Sequence, residues 1–261
     1  MTNVQNILDE IEKFAPLSLK EEGDPTGFQI GDRTRTVKKV LVTLDVRPNV
    51  VQEAIEKDID LIIAHHPIMF RPTANLDIND PQNKMYYDLM SHDIAVHSAH
   101  TNIDKTVNGM NDWLAEALNL QNIQSIDELD GLGRIGEVQQ ETTLDDFSEE
   151  IKNKFNLSGL RTVKPYIEKP VKKIAIIGGD GGKFFRTIKG IGADTFITGD
   201  VYYHTAHDMQ AIGLNVIDPG HHVEEIFINK MENILQSWNE DYNWDIQIVP
   251  SRANTEPYIF K

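Results

Sequence analysis

Three short segments of the chain concentrate side chains of the kind that hold metal ions: LIIAHHP (61–67), VHSAHTNID (96–104) and VIDPGHHVEE (216–225). Neutral imidazole with carboxylate is the ligand set of zinc, manganese and iron. The chain has no cysteine, so any metal must be held by nitrogen and oxygen, and disulfides and thiolate nucleophiles are excluded. The chemistry on offer is that of a metalloprotein, and of an enzyme.

The spacings say more. His65 and His66 are adjacent, and neighbours on an extended chain point to opposite sides. Such a pair chelates one ion poorly but can serve two ions, one on either side of the strand end. Asp104 reads as a carboxylate ligand with His97 or His100 as an orienting partner, or else as a cap of the following turn. His221 and Glu225 lie four apart and share one side of a helix starting near residue 222, with Glu224 pointing elsewhere. His222 pairs with Glu225 equally well at a spacing of three, so spacing leaves the histidine open. His97, His100, Asp200 and His204 are candidates for proton transfer or ligand orientation. GGDGG (178–182) follows a strand and precedes a helix; it reads as an anion cradle or as a tight turn.

The elements that must position these groups alternate along the chain. Val- and Ile-rich runs at 40–46, 61–65, 94–98, 135–139, 173–179, 195–199, 215–219 and 246–250 read as strands. Helical patterns cover 3–14, 48–57, 82–92, 108–118, 144–155, 183–191, 203–212 and 223–237. This alternation predicts an α/β protein with mostly parallel sheets. VKKVLVTLD from Val37 returns as VKKIAIIGGD from Val171, and DLIIAHHP from Asp60 as DTFITGDV from Asp194. The repeat predicts two related, intertwined lobes whose strand ends face a shared cleft, where ligands of α/β proteins bind. The expected division is a first lobe over 1–118, a connecting strand–helix–strand segment over 119–170 and a second lobe over 171–261. The C-terminal residues are expected to pack back on the first lobe.

With 41 acidic against 25 basic residues, the formal charge is −16. That charge disfavours nucleic acid and anionic membrane surfaces as partners. MTNVQNILDEIEKF reads as an acidic amphipathic helix rather than a signal peptide, and no apolar run approaches the ~20 residues of a membrane span. The expectation is a cytoplasmic protein.

AHHP, HTNID, GADTFITGD and GHHVEE, with DPTGFQIGD near the N-terminus, together resemble the NIF-three-like family, known as GTP cyclohydrolase I type 2 homologues. The resemblance runs over essentially the whole chain. It implies a two-lobed fold with a dinuclear site of two divalent transition-metal ions (zinc, manganese or iron) between the lobes. His65, His66, Asp104, His221 and Glu225 match the family's metal ligands, and His221 is favoured because relatives often carry Tyr at the position of His222. The resemblance further implies a toroidal homohexamer, a trimer of dimers. The N-terminal motif reads GDP (23–25) where relatives have Trp-Asp-Asn, and Asp200 stands where many have Glu. The implied activity is hydrolysis by a metal-bound hydroxide, GTP cyclohydrolase-like, on a nucleotide or other small molecule. The competing expectation is a non-catalytic metal-binding scaffold, a metal chaperone or a regulatory protein-interaction protein.

Overall fold

The computed structural model describes residues 1–261, which divide into two compact units. The first comprises 1–106 and 225–255; the second comprises 107–224 and 256–261. No helix is long and apolar enough to cross a membrane.

In the first unit the strands are β1 (Gly27–Ile30), β2 (Lys39–Thr43), β3 (Leu61–Ala64), β4 (Ala95–Ser98) and β11 (Gln247–Pro250), in spatial order β1-β4-β3-β2-β11. β4, β3, β2 and β11 run parallel, and β1 closes one edge antiparallel to β4. β3 and β4 are buried at every position, as strands covered on both faces must be. Helix α1 (Val4–Phe14) buries Val4, Ile7, Leu8 and Ile11, one stripe of an amphipathic helix, and starts at an Asn3–Asn6 capping box. Helices α2 (Pro48–Glu56) and α3 (Pro81–Ser91) each open on a proline, whose missing N–H costs nothing in the first turn. They cover one sheet face, where Val50, Val51, Met85, Tyr86 and Leu89 join Leu41, Ile62 and Val96 in one core. The short helix α4 (Thr101–Lys105) follows β4, and α9 (Ile226–Asp241) packs on β2 and β11.

In the second unit the strands are β5 (Gln121–Ser125), β6 (Arg134–Thr142), β7 (Arg161–Val163), β8 (Val171–Ile176), β9 (Thr195–Ile197) and β10 (Asn215–Asp218), ordered β5-β6-β8-β9-β10-β7. Its helices are α5 (Met110–Ala117), α6 (Leu144–Lys154), α7 (Phe185–Gly190) and α8 (Tyr203–Ala211). Ala175, Phe196 and Val216 from three neighbouring strands form a core with Ile188 of α7 and Met209 of α8.

The fold is mixed α/β with two sheets. Residues 119–170 are no connector: β5, β6 and β7 all pair into the second sheet. Residues 225–255 lie in the first unit, and the units divide after residues 106, 224 and 255. Parallel pairing dominates only the first sheet. In the second, the parallel β8-β9-β10 core is flanked by antiparallel β5, β6 and β7.

The sequence repeat extends to individual hydrogen bonds. In the first unit Asp60 accepts the amides of Lys38 (2.8 Å) and Lys39 (3.0 Å), while Lys39 Nζ donates to the Lys57 carbonyl (2.8 Å). In the second, Asp194 accepts the amides of Lys172 (3.1 Å) and Lys173 (2.7 Å), while Lys173 Nζ donates to the Ile191 carbonyl (3.1 Å). Each clasp fastens the start of one strand to the residue before the next, with a crossover helix between.

Candidate metal centre

In the first unit the donors follow the C-terminal ends of β3 and β4. β3 ends at Ala64, so His65 and His66 sit in a bend just beyond it. The bend is tied to the segment after β2: the His65 amide donates to the Thr43 carbonyl (3.3 Å) and the His66 amide to the Leu44 carbonyl (3.0 Å). Off the strand, the two rings no longer alternate. Their centroids are 4.8 Å apart, and His100 lies 5.2 Å from His65 and 5.6 Å from His66. Ligating atoms of all three lie within 4.8 Å of one another. The opposite-face geometry expected of the His65–His66 pair is therefore not what forms, and that argument for two ions falls with it.

Each imidazole is held by an oxygen at Nδ1. His65 Nδ1 meets the Ala99 carbonyl at 2.8 Å, His66 Nδ1 meets Asp45 Oδ1 at 2.8 Å, and His100 Nδ1 meets Asp24 Oδ1 at 2.9 Å. A proton on Nδ1 donated to that oxygen leaves the lone pair on Nε2, the tautomer and orientation of a metal-ligating histidine. Asp104, on α4, brings a carboxylate oxygen to 3.7 Å from His65 Nε2.

The orienting carboxylates are held as anions. Burial alone would raise the Asp45 carboxyl, but His66, with Thr255 and Arg47, outweighs it and brings the value down to about 2. Burial opposes ionisation of Asp24 as well, and His100 with the hydroxyls of Thr101 and Thr26 holds it well below the carboxylate range.

In the second unit β10 leads through Pro219 and Gly220 into a 3₁₀ turn, His221–Glu225. His221 Nδ1 meets Asp200 Oδ2 at 2.7 Å, and its Nε2 stands 3.4 Å from Glu224 Oε2. Burial works against protonation of His221, yet Glu224 and Asp200 outweigh it and raise its value to about 10. An imidazole flanked by two carboxylates marks a place that demands positive charge.

Here the spacing argument needs correction. Three residues complete a turn of 3₁₀ helix, so side chains at i and i+3 eclipse. His221 therefore shares its face with Glu224, which is 2 % exposed, while Glu225 is exposed to solvent. The shared face expected of His221 and Glu225 at a spacing of four applies only to an α-helix.

GGDGG makes room for this pair. A Cβ on Gly178 would lie 2.6 Å from Glu224 Oε1, and one on Gly179 would lie 3.1 Å from Glu224 Oε1 and 3.2 Å from His221 Nε2. The turn is braced by Thr198, whose hydroxyl accepts the Gly181 amide (2.8 Å) and donates to the Gly179 carbonyl (3.1 Å). In the repeat, Gly179 occupies the position of Asp45. One half orients its histidine with a side chain there, and the other clears space for one.

Two expected helpers lie elsewhere. His204 is exposed on the first turn of α8 against the rings of Tyr202 and Tyr203, with no hydrogen bond to His221, Glu224 or Asp200. His97, on β4, is fully buried, and neither ring nitrogen has a hydrogen-bond partner. Burial, with the charge of Arg33, lowers it from 6.5 to about 3. Between those values the unfolded chain holds a proton that the folded chain refuses, so His97 lowers stability as pH falls below 6.5 and has no such effect above it. His97→Leu is expected to stabilise the fold by about 1–3 kcal/mol at neutral pH and to flatten the acid limb of the stability–pH profile. Urea unfolding from pH 5 to 8 tests this; an unchanged acid limb would overturn it.

A model of the Duf34/NIF3 (NGG1p interacting factor 3) family matches residues 2–257. The chain belongs to this family. It is 43 % identical over 257 residues to a Streptococcus pneumoniae protein named GTP cyclohydrolase 1 type 2 homolog, covering 97 % of each chain. A Lactococcus lactis protein of the same name is 40 % identical, over 98 % of each. Among solved structures, a Bacillus cereus protein related to NIF3 superposes with a TM-score of 0.95 at 29 % identity, covering 100 % of this chain and 99 % of that one.

Sequence reading missed Glu224, Asp24 and Asp45 within this Duf34/NIF3 chain. Asp24 lies in the DPTGFQIGD motif and Asp45 at the end of a legible strand, but neither has a spacing that points to a histidine.

Proposed function

We propose that the protein is a metal-dependent hydrolase whose donors hold two divalent transition-metal ions, zinc, manganese or iron. His65, His66, His100 and Asp104 would provide ligands in the first unit, and His221 with Glu224 would provide ligands in the second. The observation that carries the reading is the constraint at Nδ1: four histidines are each fixed there by an oxygen acceptor. This is how ligating imidazoles are oriented.

Bound divalent ions supply Lewis acidity and lower the pKa of water from about 15.7 toward 7. The chain's own groups do the rest. Asp24, Asp45 and Asp200 hold the tautomers of His100, His66 and His221, and the glycines of GGDGG keep side-chain bulk away from Glu224. The names of the relatives suggest opening of the imidazole ring of GTP as the first reaction to test, in a homohexameric, cytoplasmic protein.

Purified protein is expected to carry close to two transition-metal ions per chain and to release formate from GTP when loaded with zinc, manganese or iron. Elemental analysis and a formate assay check the two statements separately. Full metal content without turnover on GTP or any other nucleotide would favour a metal-binding scaffold. Metal content near zero after loading would overturn the centre itself.

A further inference from the structure

Asp24 and Asp45 orient His100 and His66 in the same way, but their own supports come from different parts of the chain. Asp24 accepts the hydroxyls of Thr26, two residues on, and of Thr101, the neighbour of His100. Asp45 offers Oδ1 to His66, and its Oδ2 accepts the Thr255 hydroxyl at 2.7 Å, across 210 positions of sequence.

Thr255 is delivered by a segment tied down at several points. Just after β11 the Ser251 amide donates to the Val42 carbonyl (2.8 Å). Glu53 of α2 accepts from the Ser251 hydroxyl (2.6 Å) and the Arg252 amide (3.2 Å). Asn49 of the same helix donates to the Asn254 carbonyl (2.9 Å), and Ala253 packs against the core beneath α2 and α3. The backbone of Asp45 is fixed separately, through its carbonyl and the Thr43 hydroxyl at 2.9 Å. What Thr255 adds is therefore control of the carboxylate itself, whose last torsion has only a broad preference of its own.

We infer that Thr255 is a positioning residue for the metal centre: its hydroxyl fixes the Asp45 carboxylate and, through it, the tautomer and orientation of the His66 imidazole. An ionised carboxylate only accepts, so the hydroxyl gives its proton to Oδ2 and the imidazole gives its Nδ1 proton to Oδ1. The lone pair of His66 is then left on Nε2. Partners that orient a ligand are worth about 10- to 100-fold in metal affinity, and a residue one bond further out belongs at the lower end of that range. The inference rests on the metal-centre reading and adds to it a residue outside the donor set.

The test compares Thr255→Val, which keeps the shape but not the hydroxyl, with Thr255→Ser, which keeps the hydroxyl, both in the full chain. Imidazole nitrogen NMR of the metal-free protein reads the tautomer of each histidine, and chelator competition reads zinc affinity. Thr255→Val is expected to move His66 from the Nδ1–H tautomer towards a mixture, to leave His65 and His100 unchanged, and to weaken zinc about tenfold. Thr255→Ser matches the wild type in both. In an Asp45→Asn background Thr255→Val changes neither reading further, because the hydroxyl acts through that carboxylate. An unchanged His66 tautomer in Thr255→Val overturns the inference, as does unchanged zinc affinity beside a wild type that binds zinc. A Thr255→Ser protein that behaves like Thr255→Val, or a shift of all three rings together, overturns it too. If His66 alone shifts and no form of the protein takes up zinc, the hold of Thr255 on His66 stands and the metal-centre reading falls.

Discussion

Glu224→Gln is expected to strip the protein of most of its bound metal, whereas Glu225→Gln leaves the metal content at the wild-type level. The two residues are neighbours of the same chemical type, so the contrast isolates geometry. Glu224 is 2 % exposed and faces His221 Nε2 at 3.4 Å; Glu225 is exposed. Loss of a partner that merely orients a ligand costs about 10- to 100-fold in metal affinity. Removal of a ligand charge should cost more than that range. The amide keeps the shape of the side chain, so a collapse of the fold does not confuse the result. Stoichiometry by elemental analysis and affinity by chelator competition both read it. Equal losses in the two variants would sink the assignment of Glu224.

Arg134→Ala should destabilise the second unit by about 3–5 kcal/mol, a large part of the 5–15 kcal/mol that typically holds a domain. The guanidinium of Arg134 is 1 % exposed. It grips Asp112 with two bonds, Nε to Oδ1 at 2.6 Å and Nη2 to Oδ2 at 2.7 Å. Nη1 donates to the carbonyls of Gly131 (2.9 Å) and Gly133 (2.8 Å). Truncation takes the guanidinium from the half-buried Asp112 carboxylate, which keeps only the Asn108 amide at 2.7 Å among these bonds, and removes the donor to the Gly131 and Gly133 carbonyls. Lysine cannot reproduce the planar fork, so Arg134→Lys should recover little. The pair also bears on the metal donors. Asp112 lies on α5 beside Asn111, whose side chain accepts the Gly178 amide at 2.8 Å, at the turn that clears space for Glu224. Chemical denaturation measures the loss, and a change below about 1 kcal/mol, the scale of a surface pair, would show that the interaction is not sealed from water.

The sequence made the strand cores legible because burial on both faces leaves unbroken apolar runs, as in LIIA of β3 and the IAI that ends β8. β1 and β5 stayed hidden because they are short, more polar strands at the sheet edges. QNIQS has one aliphatic residue and pairs with β6 all the same. His65, His66, His100, Asp104 and His221 stood out by residue type. Their roles depended on local backbone geometry that composition does not carry. One bend after Ala64 undid the alternation of the histidine pair, and one turn of 3₁₀ helix set Glu224 on the face of His221. Asp24 reaches His100 across 76 positions of sequence, a distance at which no spacing rule operates.

The division of the chain has a consequence for the order in which it can fold. Residues 107–224 form nearly all of the second unit and are contiguous, whereas the first unit needs residues 225–255, which carry α9 and β11. During synthesis β2 therefore stands as an open edge, with the hydrogen-bonding groups that β11 later takes exposed. The unit made first is completed last, and a ribosome stalled before residue 247 leaves a sheet ready to pair with a stranger.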